Sequence, residues 1–213
     1  MLFRSETTFS VDSATDLRSD SRGYHQLSFN GITAEIGSST IVTPGASSQS
    51  LSVKASLSRA ASFNNLVALY QVDGLTGGLD TNGDQIIDLL PGESGYTEAS
   101  LKRAQDPLTG VTLVTPNNLG ASQQSIDLVG NSMYGVVVIP NATIEQVLNQ
   151  NPTNNPNQDN VAFFSFAAAN PDGLGHMARL GNNLFGFEDL LGGGDKDYND
   201  IILQLDFPVS AIS

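Results

Sequence analysis

Acidic and amide side chains are spaced at alternate positions in residues 80–88, which read DTNGDQIID. Oxygen-bearing side chains occupy positions 1, 3, 5 and 9 of this segment. Calcium takes six to eight oxygen ligands, and alternate residues of a tight loop can wrap one ion. The spacing therefore predicts a calcium site formed by Asp80, Asn82, Asp84 and Asp88, with the carbonyl of Ile86 at position 7.

The segment departs from the calcium loop of a helix–loop–helix pair at two positions. Gln85 stands where that loop requires glycine, and Pro91 stands where it requires a bidentate glutamate. Glu93, two residues later, is the candidate replacement for that glutamate. We therefore expect a calcium loop outside a helix pair. The alternative is an Asn-Gly turn whose acids are only solvated.

A second acidic loop spans residues 187–201, FEDLLGGGDKDYNDI. Acids this close repel one another unless a cation lies between them. Three consecutive glycines allow a tight backbone, and magnesium is less suited because it demands compact octahedral geometry. The alternative is a hydrated acidic hairpin. The predicted calcium ligands are Glu188, Asp189, Asp195, Asp197, Asn199 and Asp200.

The composition excludes several classes of partner. Among 213 residues there are 22 acids and 9 bases, which gives a formal net charge of −13. Such a chain is repelled by phosphate backbones and anionic lipid, so we expect neither nucleic-acid binding nor membrane insertion. It has no cysteine, and its first residues lack the apolar run of a secretory signal. Export would need a signal outside this sequence or a different route.

Short apolar segments separated by Gly, Asn, Asp and Pro predict strands that carry the two loops. Two segments predict helices, Glu98–Gln105 with Thr97 as N-cap and Ala142–Asn149 with Asn141 as N-cap. We expect one all-β domain over residues 1–213, a jelly-roll-like antiparallel β-sandwich with two short helices. Residues 1–23 are expected to be a leader or an edge strand. The predicted strands are Gln26–Ala34, Gln49–Ser58, Leu66–Val72, Tyr134–Ile139, Val161–Ala167 and Ile201–Phe207, with weaker ones at Val111–Val114 and Ser125–Leu128.

Three stretches resemble a bacterial domain family of unknown function: VALYQVDGLTGGLD with GESGYTEASL, VAFFSFAAANPDGLGHMARL, and FGFEDLLGGGDKDYNDIILQL. The family is found in cyanobacterial and other bacterial surface or secreted proteins, including calcium-rich adhesins. The resemblance covers about residues 66–207. It implies a calcium-binding role for the six predicted ligands of the second loop, with Asp172 as a neighbour. The acids of residues 80–88 exceed what the family pattern requires.

Other residues have weaker signals. His176 is expected to hydrogen-bond a ligand carboxylate or orient the loop, because imidazole suits softer metals than calcium. Core packing is expected for at least two of Tyr96, Tyr134 and Tyr198, although tyrosines also offer stacking surfaces for a sugar.

Motifs of common enzymes are absent from the sequence, so we expect no catalysis. The leading hypothesis is an extracellular structural or adhesive module of a bacterial surface or secreted protein, rigidified by one to three calcium ions. Its expected partners are glycans or other cell-surface components within a larger surface assembly. One alternative is a calcium-dependent carbohydrate-binding module. Another is a hydrolase or a unit that cleaves itself at Asp106-Pro107.

Overall fold

A computed structural model describes residues 24–29, 32–37 and 40–208. In that part the chain forms twelve strands, all paired antiparallel, and two α-helices, α1 (Tyr96–Gln105) and α2 (Ile144–Gln150). Neither helix has the length and apolar character needed to span a membrane. The strands are β1 (Tyr24–Phe29), β2 (Ile32–Gly37), β3 (Ile41–Val42), β4 (Ser50–Arg59), β5 (Asn65–Val72), β6 (Gly110–Leu113), β7 (Gly120–Val129), β8 (Met133–Pro140), β9 (Phe163–Phe164), β10 (Met177–Gly181), β11 (Leu184–Phe187) and β12 (Ile201–Asp206).

The strands belong to two sheets. One has seven strands in the order β1-β2-β10-β11-β12-β4-β7. The other has the order β3-β8-β5-β6, and β9 also pairs with β8. The predicted all-β sandwich with short helices is therefore confirmed.

The core between the sheets follows from the two-residue period of a strand. Along β4, Leu51, Val53, Ala55 and Leu57 are buried, while the serines between them face outward. They pack with residues of β8, β11 and β12 in one hydrophobic cluster. The alternating burial along β4 thus gives this strand one face in the core and one face toward solvent.

A second core lies on the other face of the five-stranded sheet, under the two helices. Tyr70 and Val137 belong to this cluster, whereas their neighbours Leu69 and Val136 belong to the first. Because β5 and β8 are buried on both faces, they read as continuous apolar runs. Tyr96 of α1 packs edge-on against Phe164, with ring centroids 6.1 Å apart. All three tyrosines singled out in the sequence are buried, as core packing predicts.

The predicted strand Val161–Ala167 was mostly wrong. Only Phe163–Phe164 pairs as a strand, and Ala167–Ala169 forms a 3-10 turn. Asparagine side chains replace a strand partner here: Asn154 exchanges two hydrogen bonds with the backbone of Ala162, and Asn170 does so with Phe164. These side chains satisfy the backbone groups of Ala162 and Phe164 that no strand pairs.

Both predicted helix caps were wrong by two residues. Gly95, in the left-handed conformation, precedes α1, and Thr97 is buried in the first turn. Thr143 caps α2 in a capping box with Gln146, because each side chain bonds the backbone amide of the other residue. Asn141 accepts a hydrogen bond from the amide of Asn64 instead.

The remaining differences concern short or divided strands. The predicted strand Gln26–Ala34 is two antiparallel strands, β1 and β2. Its sequence contains Asn30-Gly31, a dipeptide typical of two-residue hairpins. Strands β3, β10 and β11 were not predicted, and β7 begins five residues earlier than its predicted start. The predicted leader or edge strand over residues 1–23 lies outside the described residues.

Candidate metal centre

The second acidic loop connects β11 to β12, which are neighbours in the seven-stranded sheet. Its ends are tied to adjacent elements by backbone hydrogen bonds. The amide of Glu188 donates to the carbonyl of His176 at 3.0 Å, and Ala60 donates to the carbonyl of Asp200 at 3.0 Å. The loop is therefore held at both ends on the edge of the sandwich.

Three acids of this loop converge. One carboxylate oxygen from each of Glu188, Asp195 and Asp197 lies within 4.8 Å of the others. Glu188 is buried, Asp197 is half-buried and Asp195 is exposed. The group thus runs from the protein interior to solvent, and all its ligand atoms are the hard oxygens that calcium prefers.

Glu188 is the most deeply buried acid of this group. Its Oε1 accepts a hydrogen bond from the amide of Tyr198 at 2.6 Å, but its buried Oε2 has no partner among the described residues. Burial, together with the charges of Asp200, Asp195 and Asp197, raises the pKa of Glu188 to about 8. A buried carboxylate oxygen that lacks a partner is costly, so this position suits a bound cation.

Two glycines allow the loop to close over Glu188. Gly194 has φ 51°, and a Cβ there would lie 2.5 Å from Glu188 Oε2. The backbone at Tyr198 passes close to Gly186 of β11. A Cβ at Gly186 would lie 2.2 Å from the carbonyl oxygen of Tyr198, so only glycine allows this approach. Side chains at these positions would displace the acids or the backbone that holds them.

Asp172 and His176 anchor the loop from outside it. Asp172 Oδ2 lies 2.9 Å from His176 Nε2 and accepts a hydrogen bond from the amide of Gly192 at 2.8 Å. His176 is buried, stacks on Phe163 at 4.0 Å and places its Nδ1 3.1 Å from the carbonyl of Glu188. His176 therefore orients the loop, as the sequence indicated. The carboxylate of Asp172 does the same through its contacts with His176 and Gly192.

Two further predicted ligands, Asp189 and Asp200, lie side by side. Asp200 Oδ2 accepts a hydrogen bond from the amide of Asp189 at 3.0 Å. Burial and the adjacent charge of Asp189 raise the pKa of Asp200 to about 7. Asp189 Oδ2 accepts a hydrogen bond at 2.7 Å from the amide of Asn65, which lies at the start of β5. Asn199 donates hydrogen bonds from its backbone amide and from its side-chain amide to the carboxylate of Asp197.

The first acidic loop closes between Leu79 and Leu89, which form an isolated antiparallel bridge. Asp80 accepts hydrogen bonds from the amides of Asn82, Gly83 and Gln85, while Asp84 accepts one from Ile86. These amides outweigh the desolvation of Asp80 and lower its pKa. The loop is thus a tight turn folded around the first aspartate.

The other predicted ligands of this loop have separate partners. Asp88 accepts hydrogen bonds from Thr81 and from the side chain of Asn82, and Glu93 accepts one from the amide of Leu90. In the described part of the chain, only Glu188, Asp195 and Asp197 form a compact group of three carboxylates. The predicted calcium site at residues 80–88 remains a prediction.

Comparisons with known proteins bear on the C-terminal part. Residues 128–208 match the family model described as “Domain of unknown function (DUF4114)”. This segment contains the second acidic loop and strands β8 to β12, but neither residues 80–88 nor Asn65. Searches of the curated proteins and of the solved structures gave no match.

Sequence reasoning missed Asn65 and the contact role of Gly194. Gly194 had a signal, since it lies in the run of three glycines between acids. Asn65 had none, because it is separated from Asp189 by 124 positions along the chain. Their proximity depends on how the two sheets stack.

Proposed function

We propose that this chain is a calcium-binding structural module of a bacterial surface or secreted protein, with an adhesive role outside the cell. Calcium would be held by Glu188, Asp195 and Asp197 and would fix the loop between β11 and β12. The ion would supply the positive charge that these acids lack. The bacterial and extracellular parts of this proposal rest on the family resemblance of the sequence.

The observation that carries the proposal is the unpartnered, buried Oε2 of Glu188 beside two further acids. Glu188 is only 1% exposed, so water does not solvate this oxygen as it does a surface carboxylate. A protein rarely leaves a buried polar atom unsatisfied without a ligand or a functional reason. A cation at this position would satisfy the oxygen and offset the repulsion among the acids.

In the described part of the chain, no basic side chain takes the place of that cation. Within residues 40–208, the ion pairs are Lys102–Glu98, Arg103–Asp73 and His176–Asp172. None includes Glu188, Asp189, Asp195, Asp197 or Asp200. The oxygen-only set and its partly open side suit calcium better than magnesium, which keeps several waters in a compact octahedron.

Thermal unfolding of the EDTA-stripped protein, titrated with calcium or magnesium, tests the proposal. At about a hundred times the dissociation constant, calcium should add roughly 2.7 kcal/mol to the free energy of unfolding. Extracellular modules bind calcium with dissociation constants of about 10⁻⁴–10⁻³ M, so the titration should reach tens of millimolar. Magnesium should shift the melting temperature much less.

Substitution of Glu188 gives the sharpest comparison. At about pH 9, Glu188→Gln should raise the melting temperature in EDTA, because it removes a buried charge, and should abolish most of the calcium-induced rise. The matched control is Glu98→Gln on α1, which removes an exposed charge paired with Lys102 and should change neither value appreciably. A full calcium-induced rise in Glu188→Gln would refute the proposal.

A second candidate is calcium-dependent carbohydrate binding, favoured by the exposed position of Asp195. An ion whose outer side faces solvent can take sugar hydroxyls as ligands. Glycan-array binding that chelator abolishes would support this function. An open cavity of about 530 Å³ at the other end of β12, lined by residues including Asn183, Asp206 and Phe207, is the alternative glycan position. Binding there would survive chelator.

A further inference from the structure

Asn65 joins the five-stranded sheet to the acidic loop of the seven-stranded sheet. It begins β5, opposite Pro140 of β8, and is 4% exposed. Its Nδ2 donates to Asp189 Oδ2 at 2.7 Å, and Asp189 is also 4% exposed. A polar contact between the two sheets therefore lies in the interior, at the end of the sandwich.

Of the two polar atoms of the Asn65 side chain, Nδ2 has the hydrogen bond to Asp189 described above. The other, Oδ1, is buried and has no hydrogen-bond partner in the part of the chain that the structure describes. Amide bond lengths place the oxygen and nitrogen of one side chain about 2.2 Å apart, so Oδ1 lies within about 5 Å of Asp189 Oδ2. A calcium ion, with ligands at about 2.3–2.6 Å, can contact two oxygens at that separation.

Asp200 lies next to Asp189 at this position. Its Oδ2 contacts the amide of Asp189 at 3.0 Å, and its carboxyl group is half-buried. Arg59, at the end of β4, directs its Nη1 to Asn64 Oδ1 at 3.2 Å. Among the described residues, no base lies within 4.0 Å of either aspartate. The contacts thus join two acids to an amide whose carbonyl oxygen has no partner among the described residues.

The contact between Asp189 and Asn65 lies apart from the Glu188 group, although the charge of Asp200 contributes to the raised pKa of Glu188. Asp189 directly follows Glu188 after β11, and successive side chains of an extended chain point to opposite sides. Their contacts agree with this: Glu188 contacts the amide of Tyr198 in the loop, whereas Asp189 contacts Asn65 in the other sheet. One ion bound at Glu188 leaves Asn65 Oδ1 unsatisfied.

We propose that a second divalent cation binds between Asp189, Asp200 and the side-chain oxygen of Asn65, and clamps the two sheets together. The inference deepens the proposed function and rests on it, since both ions would be calcium. It makes Asn65, which lies outside the matched segment 128–208, a ligand of the site. Calcium then stabilises the contact between sheets as well as the loop.

Calcium stoichiometry and affinity of the full chain test this inference, measured by equilibrium dialysis on wild type, Asn65→Leu and Asn65→Asp. Asn65→Leu keeps the volume but removes both polar atoms. It should lose one ion per chain, or bind it about tenfold more weakly or worse, because even outer-shell changes at metal sites have effects of this size. Asn65→Asp supplies a ligand oxygen and should keep the ion count.

Thermal unfolding distinguishes a metal-binding role of Asn65 from a purely structural one, even if Asn65→Leu does not fold. Asn65→Asp should be less stable than wild type in EDTA because it adds a third acid, and calcium should restore most of that loss. The control is Asn154→Asp. Asn154 is an equally buried amide, and both its polar atoms bond the backbone of Ala162. This variant should be destabilised equally in EDTA and in calcium.

The two proposals fail differently. If wild type binds no calcium, the proposed function itself fails. If Glu188→Gln removes an ion while Asn65→Leu keeps the wild-type count and affinity, the proposed function stands and the second cation is refuted. An equal loss of stability for Asn65→Asp in EDTA and in calcium would also refute it.

Discussion

Gly194 lies directly against Glu188: a Cβ at Gly194 would approach Glu188 Oε2 to 2.5 Å. The loop closes over the buried carboxylate only because this position has no side chain. The contact connects a sequence feature, the run of three glycines, to the oxygen that most requires a cation. It also supplies a direct test of how the loop shapes the site.

Gly194→Ala should weaken calcium binding, because its methyl group would push Glu188 away from Asp195 and Asp197. Gly192→Ala is the control, since Gly192 also has a positive φ, 79°, but a Cβ there meets nothing within 4 Å. Both variants should lose about 1–2 kcal/mol of stability through left-handed backbone strain. Calcium affinity, measured by isothermal titration calorimetry, should fall only in Gly194→Ala. Equal affinities for the two variants would contradict this account.

The stability of the calcium-free protein should fall as pH rises. The pKa values of Glu188 and Asp200 are raised to about 8 and about 7 in the folded state. A raised pKa contributes stability below the unfolded value, which is lost as pH passes the folded value. In EDTA, the melting temperature should therefore decline between about pH 5 and pH 8.

Calcium binding should have the opposite pH dependence, because the ion competes with the protons of Glu188 and Asp200. Affinity should rise from about pH 6 to pH 8 as those protons are lost. Calorimetry at about pH 7 in two buffers of different ionisation enthalpy should detect proton release. An affinity that is constant over this interval, without proton release, would contradict the assignment of these acids as ligands.

Asp172→Asn should loosen the loop without abolishing calcium binding. Its carboxylate accepts hydrogen bonds from Gly192 and His176, so weakening them should cost about 1–3 kcal/mol. Partial burial opposes ionisation, but His176 and the amides of Gly192 and Leu174 prevail and lower the pKa of Asp172 to about 2. A lowered pKa contributes stability above the unfolded value, 3.8, which is lost as pH falls through about 2.

The measurement for Asp172 is chemical denaturation at pH 7 and at about pH 3, where its contribution is smaller. The difference between wild type and Asp172→Asn should shrink at the lower pH. Complete loss of calcium binding, as severe as in Glu188→Gln, would instead make Asp172 a direct ligand.

The first acidic loop allows a separate prediction. Among the described residues, Asp84 accepts a single hydrogen bond, from the amide of Ile86, whereas Asp80 accepts three. If residues 80–88 hold calcium, Asp84→Ala should lower the ion count by one with little effect in EDTA. Asp80→Ala should also lower stability in EDTA, because it removes the acceptor at the centre of the turn. An unchanged ion count in both variants would restrict calcium to the second loop.

Local patterns predicted most of the elements. Alternating burial in β4, the continuous apolar runs of β5 and β8, and the two helical segments were readable because each depends on neighbours in sequence. The strand prediction failed on both sides of β9, where the side chain of Asn154 bonds the backbone of Ala162 and Ala167–Ala169 forms a 3-10 turn. Such a segment is indistinguishable in sequence from an ordinary buried strand.

The sequence by itself determined the chemistry of the candidate site: hard oxygens at alternate positions, glycines between them and too few bases to balance them. Those features lie within a few residues of one another, so spacing alone reveals them. Tertiary structure decided which oxygens are buried, left Glu188 Oε2 and Asn65 Oδ1 without partners in the described part of the chain, and brought Asn65 to Asp189. Burial and contact between distant strands arise from the stacking of two sheets, a relationship that spacing along the chain does not contain.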